Sequence, residues 1–185
     1  MKSNFFITAA LLALAAPAWA SDCEHLYTQH LAADLALSYE QFDQTMDAGF
    51  RSLSTAGCHR QAADLIEAYI AEHDAPQRSL RWHVAQLRAM DGDSGAAVAS
   101  ARSVLSATED FTTQPLRWND YVLATIAFLE QDRAALQFHR DQVALGVDAH
   151  QGNAMNLRLL DSLLRHFDHS YAYAMQHIEE SPESD

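Results

Sequence analysis

"GCHRQAADLIEAYI", residues 57–70, holds the pattern on which the rest of the chain can be laid out. Glycine takes the left-handed conformation without a Cβ clash, so Gly57 fits the position just past a helix end. A new helix then runs from about Cys58 to His73, with Ala62, Leu65, Ile66 and Tyr69 on one face. The same arrangement returns at Gly92, with Ala97 five residues on. Small-residue doublets at Ala62-Ala63, Ala96-Ala97 and Ala134-Ala135 are 34 and then 38 residues apart, a period of the kind that two-helix repeats show. Such a unit buries its apolar side by stacking on the next one.

Working outward, glycine and proline are scarce, and alternating apolar and polar runs rich in β-branched residues are missing. The chain therefore reads as all-α, a stack of antiparallel helix hairpins with about nine helices in a single domain over residues 21–178. Tyr27, Leu31 and Leu35 mark a first helix, and Phe42, Met46, Phe50 and Leu53 lie on one face of a second, with Ser38 and Gln41 as a capping box between them. Pro76 and Pro115 suit the first turns of helices four and six, where a missing N–H costs nothing, with Asp74 and Thr113 as caps. Asp91-Gly92-Asp93 precedes a fifth helix, and Asp132 fits the N-cap of a seventh. Leu157, Leu160, Leu164 and Phe167 mark an eighth, and Tyr171, Ala174, Met175 and Ile178 a short ninth. The acidic tail at 179–185 is too poor in apolar residues to pack and is expected to be disordered.

On its turn glycines Gly57 and Gly92, the alanines Ala62 and Ala97 and the helix-turn-helix length, the stretch from about residue 39 to 145 resembles the tetratricopeptide repeat family. Gln131 stands where the third unit would have its glycine, and the family's Trp-Leu-Gly-Tyr pattern is nowhere intact. The resemblance implies a concave groove lined by the first helix of each hairpin. Its groove positions fall on Arg51 in unit one, on Trp82 and Gln86 in unit two, and on Trp118, Tyr121 and Thr125 in unit three. Two readings of "QPLRWNDYVLATIAFLEQD", residues 114–132, then stand: groove wall, or core sealed by the last two helices. A four-helix bundle with additions is the alternative architecture.

The first twenty residues give a basic start at Lys2, an apolar run from Phe5 to Ala16 and the small-residue end Ala18-Trp19-Ala20. That is the pattern of a secretory signal peptide cleaved after Ala20, and the apolar run is shorter than the ~20 residues a bilayer span needs. No stable membrane anchor is expected, and the exported product would be periplasmic or secreted. Removing Lys2, the only charged residue among the first twenty, moves the formal charge from -13 to -14 and leaves arginine as the only strongly basic residue type. So acidic a surface disfavours nucleic acid and anionic lipid as partners. The only two cysteines, Cys23 and Cys58, are expected to pair in an oxidising compartment.

Catalytic signatures are missing from the pattern. None of the ten histidines falls in His-Glu-x-x-His, and there is no nucleophile elbow, phosphate-cradling loop or dinucleotide fingerprint. No metal and no cofactor is expected, and Asp161, between Arg158 and Arg165, reads as part of a surface ion-pair ladder. Asn153 can cap the eighth helix, while Asn156, a poor helix former beside an apolar stripe, either bonds a neighbouring loop or faces a ligand. The sequence thus points to an interaction or scaffold protein that holds a protein or peptide segment at Arg51, Trp82, Gln86, Trp118, Tyr121, Thr125 and Asn156. The rival is a cell-wall or polysaccharide-acting enzyme on a helical scaffold, with Asp47, Asp120 and His83 near the mapped groove. Intact-mass analysis of the exported protein should give a chain starting at Ser21 that takes up no alkylating agent until it is reduced; two reactive thiols in the unreduced, denatured protein would contradict this.

Overall fold

A computed structural model describes residues 18–178, so the body of the expected signal peptide and the acidic tail lie outside the described residues. Its regular elements are α1 (Ala18–Asp34), a π-helical turn (Glu40–Gln44), α2 (Phe50–Thr55), α3 (His59–His73), α4 (Arg78–Met90), α5 (Ser94–Arg102), α6 (Trp118–Leu129), α7 (Arg133–Ala144), α8 (Gln151–Arg165) and α9 (Tyr171–Gln176). From α2 to α8 each helix packs on the next in chain order, so the architecture is an all-α stack of helix hairpins. At its end the chain turns back, and α9 returns to touch α4. Among the described residues no helix is long and apolar enough to cross a membrane.

Three hairpin turns share one geometry. Gly57, Gly92 and Gln131 have φ of 80°, 85° and 61°. In each turn the next N–H reaches back to the carbonyl five residues earlier: Cys58 to Leu53 at 2.9 Å, Asp93 to Arg88 at 2.9 Å and Asp132 to Ala127 at 2.8 Å. These bonds satisfy carbonyls that a helix end leaves open, which is why the turn recurs. The Asp93 and Asp132 carboxylates then cap the following helices by accepting from the Ala96 and Ala135 N–H groups, both at 3.0 Å.

Five residues after each turn stand Ala62, Ala97 and Leu136, all 0% exposed. The third unit is therefore aligned on Leu136 and not on the Ala134-Ala135 doublet, whose first alanine is exposed. Gln131 takes the left-handed conformation although it carries a Cβ, and its side-chain amide donates to the Phe128 carbonyl at 3.0 Å.

The second helix departs from expectation. Gly49, at φ 57°, breaks it into the π-helical turn and α2, and any Cβ there would collide with the Phe42 carbonyl. Phe42, Phe50 and Leu53 still reach the core, but Met46, expected on the same face, lies in the break and is 75% exposed. The Ser38–Gln41 capping box is formed in both directions, at 3.1 and 3.3 Å. Pro76 and Pro115 lie upstream of α4 and α6 rather than in their first turns. Asp74 ends α3 in the left-handed conformation and Thr113 bonds Asp110, so neither caps the helix that follows.

Two apolar clusters meet through α4. Leu80, Val84 and Leu87 face the cluster built on α2 and α3, and Trp82, Ala85 and Ala89 face the one built on α5 to α9. Cys23 and Cys58 form a disulfide that fastens α1 to the start of α3. Closing a loop of this length stabilises the fold by about 4 kcal/mol in the chain-entropy model. The conformational argument gives a test at the third turn: Gln131→Gly should raise unfolding free energy by about 0.5–1 kcal/mol, while Gly92→Ala lowers it by about 1 kcal/mol. Denaturant titration measures both, and a destabilised Gln131→Gly would show that the side-chain bond outweighs the backbone strain.

Candidate functional site

The aromatics mapped to a groove form a closed cluster. Trp82, Trp118 and Tyr121 meet edge to face, with ring centroids 5.5, 5.2 and 6.1 Å apart. Trp82 and Tyr121 are 5% and 4% exposed, and the half-buried Trp118 donates its indole N–H to the Val104 carbonyl at 2.9 Å. Thr125 is buried as well, its hydroxyl donating to the Tyr121 carbonyl at 3.0 Å. Trp82, Tyr121 and Thr125 are core between hairpins two and three, which corrects their groove assignment, while the half-buried Trp118 keeps an edge on a separate pocket of about 260 Å³ beside Arg78 and Leu116. Tyr171 of α9 belongs to the same apolar cluster, packing on Phe128, and is buried like Tyr121. Burial pushes the Tyr171 phenol up to about 12 and moves the Tyr121 phenol in the same direction.

Arg51 and Gln86, the other two mapped first-helix positions, do come together. They line a pocket of about 280 Å³ with Phe50 and Ser54 of α2, His83, Leu87 and Met90 of α4, and Tyr171 and Met175 of α9. Its walls are mainly apolar, and its polar groups are a guanidinium, a hydroxyl, an amide and an imidazole. Asn156 is half-buried on α8 and does not line it.

Behind this pocket lies a buried carboxylate that the sequence did not single out. Asp43 is 0% exposed in the π-helical turn. Its Oδ1 is 3.2 Å from His83 Nε2 and 3.9 Å from Arg51 Nη2, distances of ion pairing, although the His83 contact is misaligned for a hydrogen bond. Oδ2 accepts from Gln44 Nε2 at 2.5 Å and from the Ser79 hydroxyl at 3.4 Å. Arg51 also clamps the Asp43 carbonyl through Nε and Nη2, at 3.0 and 2.6 Å. Burial raises the Asp43 carboxyl, but the His83 ring and the Tyr39 and Gln44 donors outweigh it and leave the group below the ordinary carboxylate value.

His83 has its second nitrogen, Nδ1, 3.2 Å from Gln86 Oε1, so both ring nitrogens are engaged. The rival's residues do not gather. Asp47 is exposed in the turn after Gln44, and Asp120 pairs with His139 of α7 at 3.0 Å and with Arg117 at 3.7 Å.

Asn153 is a staple, not a cap. Fully buried, it accepts from the Arg117 N–H at 2.9 Å and donates to the Pro115 and Gly146 carbonyls at 2.9 and 2.8 Å, while His150 caps α8. Asp161 bonds Arg140 of α7 at 2.7 Å, tying two helices together. No group of three or more His, Cys, Asp or Glu among the described residues is arranged to hold a metal ion.

The Asp43 network predicts a pH dependence. Because its folded value is lowered, its stabilisation is present above the ordinary carboxylate pKa and lost as pH falls through the folded one. Asp43→Asn should therefore cost about 2 kcal/mol near neutral pH, with the gap to wild type closing as pH falls below the ordinary carboxylate value, about 4. Thermal melts from neutral to acid pH check it, and a gap that stays constant would contradict the assignment.

Comparison with known proteins yields no relative: no family model, no curated protein and no solved structure matches the chain significantly.

Proposed function

We propose that this chain is an exported interaction module of the tetratricopeptide-like kind, which takes a short segment of a partner protein in the pocket between α2, α4 and α9. The observation that carries the reading is the composition of that pocket, where Arg51, Ser54 and Gln86 stand among Phe50, Leu87, Met90, Tyr171 and Met175. Unbranched methionines adapt to differently shaped apolar side chains, and an arginine beside them supplies a directional donor. A peptide with one apolar side chain flanked by a carbonyl or carboxylate fits this set.

Export supports the reading from another side. The Cys23–Cys58 disulfide suits an oxidising compartment, and residues 1–20 have the composition of a cleaved leader, so the module would act in a periplasm or outside the cell. The repeated turns at Gly57, Gly92 and Gln131 support the repeat-family part of the proposal. A hydrolase reading is weaker, because the carboxylates mapped with His83 do not converge on it: Asp47 is exposed in the turn after Gln44 and Asp120 pairs with His139.

The test is selection of binding peptides from a displayed random library on the mature protein, followed by affinity measurement on two variants. Ser54→Trp should fill the pocket and Met90→Glu should oppose an apolar anchor, each weakening binding at least tenfold, about 1.4 kcal/mol, with thermal melts showing retained folding. Peptides that bind both variants as well as wild type would overturn the proposal.

A further inference from the structure

A second pocket, of about 260 Å³, opens between the start of α4, the segment 103–117 and the start of α6, and it shares no lining residue with the α2–α4–α9 pocket. The segment joins α5 to α6 without helix or strand, a length at which an irregular stretch in a compact domain is usually functional or disordered. This one is bonded along its length. Asn119 grips Ser106 in both directions, its Oδ1 accepting from the Ser106 N–H and its Nδ2 donating to the Ser106 carbonyl, each at 2.8 Å. The Trp118 indole holds the Val104 carbonyl, Asp110 accepts from the Thr112 N–H and the Thr113 hydroxyl at 3.0 and 3.1 Å, and Asn153 holds the Pro115 carbonyl. The walls are thus set before a ligand arrives, which lowers the ordering cost of binding.

Two opposite charges line this pocket and, among the described residues, do not pair with each other. Arg78 has its Cζ 4.8 Å from the centre of the Trp118 ring and donates from Nη1 to the Ser106 hydroxyl oxygen at 2.6 Å, and it forms no ion pair among the described residues. Glu109, half-buried, accepts from the Asn119 N–H through Oε1 at 2.9 Å, and its Oε2 has no hydrogen bond among the described residues. Three hydrogen bonds, through Ser106 and Asn119, lead from the guanidinium to the carboxylate. Each charge is therefore held by its own neighbour, close to the other but outside ion-pairing distance.

Size and charge select the ligand. The volume lies below the ~300 Å³ at which sites for drug-sized molecules begin, so the ligand is small. A simple anion on Arg78 would stand beside the Glu109 and Asp110 carboxylates, and a simple cation on those carboxylates would stand beside Arg78, so either meets a like charge. A molecule that carries a carboxylate and an ammonium on one carbon answers both, with its carboxylate on the remaining Arg78 N–H groups and its ammonium on Glu109 Oε2. The Thr108 hydroxyl and the Gln114 side-chain amide, which make no hydrogen bond among the described residues, are left for its side chain together with the edge of Trp118.

We infer that this pocket binds a free α-amino acid, Arg78 taking its carboxylate and Glu109 its ammonium. Each of the common L-amino acids, added singly at about 10 mM to the mature protein, is screened for a rise in melting temperature, and those that give one are titrated calorimetrically. At least one should bind with a Kd below about 1 mM. Its N-acetyl derivative, which lacks the ammonium, and its methyl ester, which lacks the carboxylate, should each bind at least tenfold more weakly, because each leaves one charge of the pocket unanswered. Arg78→Gln and Glu109→Gln should weaken binding as much while thermal melts show retained folding, the second keeping an acceptor for the Asn119 N–H. Arg165→Gln, which removes an exposed charge from α8, should leave binding unchanged. A panel in which no amino acid binds below about 1 mM would overturn the inference, as would derivatives or pocket variants that bind as tightly as the parent pair, or equal weakening by Arg165→Gln.

Discussion

The packing of Trp82 against Trp118 and Tyr121 is the constraint on which the rest of the structure depends. It sets α4 beside α6 although their backbones are not close neighbours, because two indoles and a phenol fill the space between them. Edge-to-face aromatic pairs contribute about 0.5–1.5 kcal/mol each beyond the area they bury. With Trp82 on one face of α4 and Leu80, Val84 and Leu87 on another, that helix belongs to both apolar clusters. The two halves of the stack are thereby made one body, and α9 closes over the junction through Tyr171.

This arrangement also decides what is left for function. A groove in such a stack is open only where first-helix side chains are short or polar, and here the large ones have filled it. A pocket stays open at the margin between α2, α4 and α9, where Arg51 and Gln86 stand next to methionine and aromatic walls. Asp43 underlies this margin. Buried with Arg51 and His83 against it, the carboxylate fixes the orientation of two side chains that line the pocket.

Much of the fold was legible in the sequence because its signals are local. A glycine five residues before a buried small residue marks a turn wherever it occurs, and Gly57 and Gly92 were read that way. Gln131 was legible only by counting from its neighbours, and the Ala134-Ala135 doublet set the count wrong by up to two residues. The break at Gly49 was hidden, since Phe42, Met46, Phe50 and Leu53 satisfy a helical spacing that the chain does not follow. The candidate site was less legible still. Burial of Asp43 depends on His83, forty residues away, and the staple at Asn153 depends on the carbonyls of Pro115 and Gly146, and no one-dimensional pattern announces either. Composition could not say whether an apolar helix with Trp118 and Tyr121 faces a groove or a core, because both want the same side chains.

Fluorescence addresses that last point most directly. Trp19 aside, the tryptophans are Trp82 and Trp118, so in a chain begun at Ser21 all indole emission comes from the cluster itself. Iodide quenching of that emission should be several-fold weaker in the folded protein than in the denatured one, with a maximum shifted to shorter wavelength. Quenching as efficient as in the denatured chain, with an emission maximum like that of indole in water, would contradict the account by placing the cluster on an open surface.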